Sequence, residues 1–144
     1  MKTEFRKAVL PRDLKALMAF DRKVFPSTDC FDAEYWRECD SWWLIVSGAR
    51  IGCCAFEKTV SRTLYIATTG ILPGYRGQGF GAVMKSWQIA YAHIHKFRRV
   101  QAHTRKSNKR MIELNKEFGF RIVRIEPHHY TDPSEAALLM ELRL

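Results

Sequence analysis

The stretch Ile71-Leu72-Pro73-Gly74-Tyr75-Arg76-Gly77-Gln78-Gly79-Phe80-Gly81 decides how the rest of this chain is read. A β-type run from Leu64 to Leu72 leads into it, and an amphipathic pattern leads out. Where a strand gives way to a helix, the first helical N–H groups have no partner within the helix and point outward. The helix dipole adds partial positive charge at that end, which favours a phosphate or pyrophosphate. Gly77, Gly79 and Gly81 would let the backbone approach such a ligand and take positive φ without a Cβ penalty. Arg76 could add a charge-assisted fork to phosphate oxygens. A plain strand–helix turn is the simpler alternative.

The spacing narrows the ligand. No Gly-Lys-Ser/Thr follows the glycines, so this is not a P-loop. Gly77-x-Gly79-x-Gly81 is also a poor dinucleotide fingerprint, because no acidic residue stands about twenty positions on to meet a ribose. The stretch does resemble motif A of the GNAT acetyltransferases, Arg/Gln-x-x-Gly-x-Gly/Ala preceded by an apolar-x-Pro step. The matching positions are Arg76, Gly79, Gly81, Ile71 and Pro73.

A second block strengthens the resemblance. Ser107-Asn108-Lys109-Arg110-Met111-Ile112-Glu113-Leu114-Asn115-Lys116-Glu117-Phe118-Gly119-Phe120 is similar to motif B of the same family, Ser-Asn-x-x-(small/apolar)-x-x-Leu-Tyr-x-Lys-x-Gly-Phe. The two blocks lie at the family's spacing, and the resemblance extends from about Phe5 to Leu144. It implies a single GNAT-like domain over residues 1–144, α/β in class, with a mixed, mostly antiparallel central sheet flanked by helices. It also implies acetyl-CoA as cofactor and a primary amine, on a peptide or a small molecule, as acceptor. By position, Gly70 and Ile71 match strand residues that bond the pantetheine arm through their backbone. Arg76, Gly77, Gln78, Gly79, Phe80 and Gly81 match the pyrophosphate-binding loop. Asn108 matches a residue that contacts coenzyme A, and it could equally be a helix N-cap.

Composition agrees with an enzyme of this kind without requiring one. The chain has 144 residues, enough for one domain with a real core, and a 47% apolar content that excludes a disordered chain. No apolar run approaches the length of a bilayer span, and Met1 to Arg6 has no signal-peptide core behind it, so a cytoplasmic protein is expected. Cys30, Cys39, Cys53 and Cys54 have no zinc-ligand spacing and read as packing residues, and no metal is expected. Between Glu57 and Glu113 there is no Asp or Glu, while Lys58, Arg62, Arg76, Lys85, Lys96, Arg98, Arg99, Arg105, Lys106, Lys109 and Arg110 fall inside. Such a block creates positive potential suited to a polyanion such as coenzyme A. Nucleic acid is the competing partner, but no helix-turn-helix, zinc or RRM-type signature accompanies the charge.

Periodicity predicts strands at Phe5–Leu10, Trp42–Val46, Ile51–Val60, Thr63–Leu72, Val100–Thr104, Arg121–Ile125 and Ala137–Leu142. Helices are predicted after Pro11-Arg12-Asp13, over Ala33–Glu38 with Asp32 as N-cap, after the glycines, and over Asn108–Phe118 with Gly119 as C-cap. Ser47 to Arg50 reads as a hairpin turn.

Catalytic residues are less legible. Acetyl transfer needs a neutral amine, so a base must take a proton, and the departing thiolate is helped by an acid. The family often places a Glu on the fourth or fifth strand and a Tyr in motif B. Here His103 stands at the strand position and Asn115 at the tyrosine position. His103 is the candidate base, with a packed strand histidine as its alternative. Asn115 could orient water or donate to the thiolate. The segment from His128 to Met140 resembles the ending of N-terminal protein acetyltransferases, including the ribosomal-protein alanine group, which makes Tyr130 a candidate acid or substrate contact. Phe25-Pro26, Phe31 and Trp36 resemble that group's substrate-side loop. Glu57 and Asp29 are the other carboxylates considered. An N-terminal α-amine is the preferred acceptor, and a non-catalytic acyl-CoA-binding module is the alternative that the missing glutamate and tyrosine raise.

Overall fold

A computed structural model describes residues 2–59, 61–131 and 133–144. The elements run β1 (Thr3–Lys7), α1 (Leu14–Val24), α2 (Ala33–Glu38), β2 (Cys39–Val46), β3 (Ala49–Glu57), β4 (Thr63–Ile71), α3 (Phe80–Ile94), β5 (Arg99–Arg105), α4 (Lys109–Glu117), β6 (Arg121–Tyr130) and β7 (Glu135–Arg143). The seven strands form one sheet in the order β1-β2-β3-β4-β5-β7-β6. Pairing is antiparallel from β1 to β3 and from β5 through β7 to β6, whereas β4 and β5 are parallel over Thr63↔Arg99 to Ile66↔Ala102. This is the mixed, mostly antiparallel α/β sheet expected from the sequence. Among the described residues no helix is long and apolar enough to cross a membrane.

Internal contacts group the described residues of Met1–Lys58 and Ala67–Met84 into one compact unit, and those of Thr59–Ile66 and Lys85–Leu144 into a second. The first unit is built on aromatic burial. Leu17 and Phe20 of α1, Trp36 of α2 and Trp43 of β2 pack with Cys39, Ile45, Cys53 and Ala55. Each fully buried large side chain stabilises by about 1.5–3 kcal/mol. The exposed Arg6–Glu4 pair, by contrast, belongs to a class worth about 0–1 kcal/mol. Burial therefore dominates. Strand β3 is buried on both faces from Ile51 to Phe56, which is why it uses small residues. Cys53 packs there as a protonated thiol, its pKa pushed up by burial.

Local chemistry fixes several boundaries. The Asp32 side chain accepts from the Tyr35 N–H at 2.8 Å and starts α2 as predicted. Asn108 does the same for α4 through Met111 N–H, and Gly119 ends that helix at φ +94°. Some predicted boundaries differ. The first strand lies at Thr3–Lys7 instead of Phe5–Leu10, because Val9 N–H is taken by the Asp13 carboxylate rather than by a strand. The β2–β3 connection is two residues, not four: Ser47 and Gly48 both take positive φ, the geometry that matches strand twist. Strand β6 continues past Pro127 to Tyr130, since β6 is an edge strand and tolerates a residue with no N–H to donate. Val60, predicted to end the third strand, and Asp132 of the C-terminal segment lie outside the described residues.

Asp13 is the strongest acid anchor of the first unit. Its carboxyl falls from 3.8 to about 2, chiefly through the Arg12 hydrogen bond, with help from Val9 N–H and the Arg50 charge against the opposing effect of burial. A carboxylate with a lowered folded-state pKa stabilises fully above its unfolded value and loses that contribution as pH falls through the folded one. Asp13→Ala is therefore expected to lower the melting temperature at pH 7 and to flatten its decline between about pH 4 and pH 2. An unchanged acid limb in thermal scans would remove Asp13 as the anchor.

Candidate active site

The glycine loop belongs to the first unit. After β4, Pro73–Tyr75 makes one 3-10 turn, and α3 begins at Phe80. Gly77 and Gly79 take φ of +75° and +87°, the left-handed region that glycine reaches without strain. A Cβ on Gly79 would meet nothing within 4 Å, so its requirement is conformational and not steric. Val83 N–H donates to Gly79 O at 3.2 Å, and the N–H groups before it, which have no carbonyl a turn earlier within α3, are the outward donors of its first turn. The Arg76 guanidinium turns back to the backbone, with Nε donating to Ile71 O at 3.2 Å and Nη2 to Val24 O at 3.4 Å. Gln78 Nε2 likewise donates to Gly74 O at 3.3 Å. Both side chains thus shape the loop itself. Phe80 is buried with its ring against Tyr75, and Gly81 lies in the first turn of α3.

Gly70 has the opposite requirement. A Cβ there would lie 3.0 Å from Val24 Cγ1, 3.3 Å from Phe25 and 3.4 Å from Phe20. The end of α1 therefore packs directly on the β4 backbone beside Ile71. In the same unit Phe31 meets Tyr35 edge-on and Trp36 at a tilt of 57°, and Tyr35 OH donates to Glu57 at 2.5 Å. Buried Asp21 accepts from Phe31 N–H at 2.8 Å and holds this segment to α1. Burial raises its pKa.

The second unit holds a polar cluster. Strand β5 alternates strictly: Val100, Ala102 and Thr104 are buried, while Arg99, Gln101, His103 and Arg105 face the other side. His103 Nδ1 lies 2.6 Å from Tyr65 OH of β4, and its Nε2 lies 2.9 Å from Glu126 Oε2 of β6. Strand β7 runs between β5 and β6, and the contact reaches across it because Ala137, small and fully buried, pairs with both Arg105 and Glu126. Glu126 is held at about 2, chiefly by the His103 hydrogen bond and then by Arg124, whose Nη2 approaches at 2.9 Å. It is an anion at neutral pH and can only accept. His103 Nε2 then carries the hydrogen toward Glu126, and in the neutral ring Nδ1 accepts from Tyr65 OH.

His129 completes the group. Its ring stacks on His103 at 4.5 Å and 15°, and its Nδ1 lies 3.4 Å from Glu126 Oε1. In a regular strand, residues three apart face opposite sides. Here the register shifts between Glu126 and Tyr130, and His128 takes φ +57°, which turns His129 back toward Glu126. Tyr130 follows, edge-on to His129 and with the Arg105 guanidinium 4.2 Å from its ring centre.

The structure thus brings His103 and Tyr130 into one cluster and leaves Asn115 out of it. Asn115 is buried on the opposite side of β5, its Nδ2 making long 3.5 Å contacts to Thr104 Oγ1 and Met140 Sδ. Asn108 uses its Oδ1 as a helix cap. Tyr65, Glu126 and His129 were missed in the sequence. Tyr65 could have been found by pairing the fourth and fifth strands and following every second residue from His103. Glu126 and His129 could not, since the bulge that joins them breaks the alternation.

Comparison with known proteins places this geometry in context. The Acetyltransferase (GNAT) family profile matches residues 12–120. The chain is 31% identical to the probable N-acetyltransferase san of Drosophila melanogaster, over 92% of this chain and 77% of that protein. Among solved structures, the ribosomal-protein-S18-alanine N-acetyltransferase of Escherichia coli shares the fold with a TM-score of 0.86 at 17% identity, covering 99% of this chain and 94% of that one. Arabidopsis thaliana NAA60 in complex with a bisubstrate analogue gives 0.82 at 21% identity, with 99% of both chains covered. A GNAT family acetyltransferase from Elizabethkingia anophelis with acetyl-CoA bound gives 0.81 at 18%, covering 99% and 98%.

The packing of α1 on β4 makes one clear prediction. Gly70→Val should cost about 1–3 kcal/mol, the range for overpacking a filled interior. The check is the urea unfolding midpoint, and a value equal to that of the parent protein would contradict the tight packing at Gly70.

Proposed function

The chain belongs to the GNAT acetyltransferase family and is an acyltransferase, and on that premise we propose that it transfers acetyl from acetyl-CoA to the N-terminal α-amine of a peptide or protein, by direct attack in a ternary complex. The observation that carries this reading is the hydrogen-bonded chain Tyr65–His103–Glu126. All 144 residues are taken as one catalytic domain.

Acetyl-CoA supplies the acyl group in activated form, as a thioester. The residues around the glycine loop fit such a ligand: positive-φ glycines, outward N–H donors at the start of α3, and a flanking sequence without acids from Lys58 to Ile112. Gly77, Gly79 and the first turn of α3 would hold the pyrophosphate, with Arg76 and Gln78 keeping the loop in shape. Gly70 and Ile71 would offer backbone groups to the pantetheine arm. Asn108 would use its Nδ2, since Oδ1 caps α4.

The amine must lose a proton as it attacks. Tyr65 oxygen is assigned to accept that proton while its own passes to His103 Nδ1. The imidazolium so formed is stabilised by the ionised Glu126 on Nε2, the division of labour by which a carboxylate orients and supports a histidine base. Imidazole is the side-chain type suited to exchanging protons near neutral pH. A base of that strength matches an α-amine, with an intrinsic pKa of about 8, better than a lysine side chain at about 10.4. The named activities of the relatives, an N-acetyltransferase and an alanine N-acetyltransferase, support the same acceptor class. Tyr130, fixed under Arg105, is assigned to contact with the substrate. Asn115 is assigned no chemical step: it faces away from the cluster, and an amide is no acid at neutral pH.

Thiol release from acetyl-CoA should therefore be seen with unblocked peptides and not with N-terminally blocked peptides, polyamines or aminoglycosides. Tyr65→Phe and His103→Ala should each lower kcat by about 10²–10⁴-fold, the range for general acid–base catalysis, with melting temperature retained. Undiminished turnover in both variants would remove the relay, and turnover confined to small amines would replace the acceptor. Gly79→Ala, forced to hold φ +87°, should mainly raise KM for acetyl-CoA. A selective fall in kcat there would contradict the loop's binding role.

A further inference from the structure

The His103–Glu126–His129 group has a capacity that acetyl transfer does not use. Its three ligand-type atoms, one from each residue, all lie within 4.8 Å of one another. His103 Nε2 to Glu126 Oε2 is 2.9 Å, and His129 Nδ1 to Glu126 Oε1 is 3.4 Å. Tetrahedral zinc, with bonds of about 2.0–2.2 Å to nitrogen and carboxylate oxygen, holds neighbouring ligand atoms about 3.3 Å apart. Each imidazole thus already lies near that spacing from one oxygen of the carboxylate, His103 from Oε2 and His129 from Oε1. The three ligand atoms reach one tetrahedral face by a rotation of His129, whose side chain is 35% exposed and whose ring stacks on His103 and meets Tyr130 edge-on.

We propose that His103, Glu126 and His129 form a site for a borderline-soft divalent cation of the zinc class, with a fourth position open to water. The donor set supports that class: two imidazoles and one carboxylate suit zinc, copper and nickel over calcium or magnesium, which prefer oxygen alone. The outer contacts support it as well. A metal-bound histidine normally has its second nitrogen fixed by a hydrogen bond, and Tyr65 OH already lies 2.6 Å from His103 Nδ1. Glu126 is an anion and needs no deprotonation. The opposing charge is Arg124, which shares Glu126 Oε2 at 2.9 Å but has a side chain 63% exposed and free to swing into water. Arg105 stacks on Tyr130 and pairs with Glu135, so its charge is partly neutralised by that partner.

Occupancy would change the direction of one hydrogen bond. With the cation on Nε2, the hydrogen of the neutral ring must sit on Nδ1, through exchange with solvent. Nδ1–H then donates to Tyr65 oxygen instead of accepting from Tyr65 OH. The relay loses its proton acceptor, and the cation becomes a reversible inhibitor of acetyl transfer. This consequence rests on the relay proposed above; the binding itself does not.

The test uses the full, untagged chain. Co²⁺ is added as a spectroscopic probe, and Zn²⁺ affinity is measured by competition with a chromophoric chelator. The expected result is one equivalent bound with the visible bands of a four- or five-coordinate Co²⁺ site, and affinity lowered at least about tenfold, the usual scale for losing a ligand or its support, in both Glu126→Gln and His129→Ala. His95→Ala, outside the cluster, serves as the control for scattered surface histidines, and melting curves verify that each variant is folded. Equal affinity in the parent chain and in both cluster variants, or loss of affinity in His95→Ala instead, overturns the site. Zn²⁺ should also suppress turnover and EDTA restore it. Tight binding abolished by the cluster variants, with turnover untouched, would uphold the site and overturn the Tyr65–His103 relay.

Discussion

Strand β5 carries seven residues that alternate without exception between the interior and the polar face, and most of the chemistry of the second unit follows from that pleat. Because side chains on a strand point to opposite faces in turn, Thr104 and His103 cannot share surroundings. Thr104 and its buried companions lie on the side of Asn115 and Met140, while His103 is placed beside Tyr65, Arg105 and Glu126. A shift of one residue in the β5–β7 register would exchange the two sets and bury the histidine. The seven paired positions from Arg99↔Arg143 to Arg105↔Ala137 are what oppose such a slip.

Glu126 converts this placement into chemistry. Edge strand β6 can reach His103 only across β7, and the small Ala137 leaves that path open. Once in contact, the carboxylate decides which ring nitrogen of His103 bears hydrogen, and so what Tyr65 can do. The bulge after Glu126 adds His129 to the same carboxylate. Bulges are common where a sheet needs to redirect a side chain, and here the redirected residue gives the cluster its second imidazole. One anion thus organises two histidines and Arg124.

The first unit solves a different problem. It has to present a backbone loop, so its side chains work mainly to hold main chain in place. Arg76 and Gln78 bond to carbonyl groups, Asp21 and Asp32 bond to N–H groups, and Gly70 lets α1 lie against β4. Large aromatic side chains fill the space behind. The direction of the N–H groups such a loop presents depends on φ and ψ, so rigidity of the backbone matters more there than any one charged side chain.

Periodicity and local signals determined the element order, the class of the fold and the glycine loop, because these depend on interactions between residues close in sequence: a cap three residues away, a repeat of two or of 3.6, a glycine where φ must be positive. Asp32, Asn108 and Gly119 were legible for that reason. The two motif-like blocks also pointed to the acetyltransferase family before any strand was paired. His103 and Tyr130 could be named from position alone, but not what each would touch. The partners Tyr65, Glu126 and His129, and the separation of Asn115 from them, were decided only by tertiary structure. They come from two strands, β4 and β6, from the order in which β7 separates β5 and β6, and from a bulge that overrides alternation. Strand order and register are set by burial summed over the whole sheet, and no local stretch of sequence contains that sum.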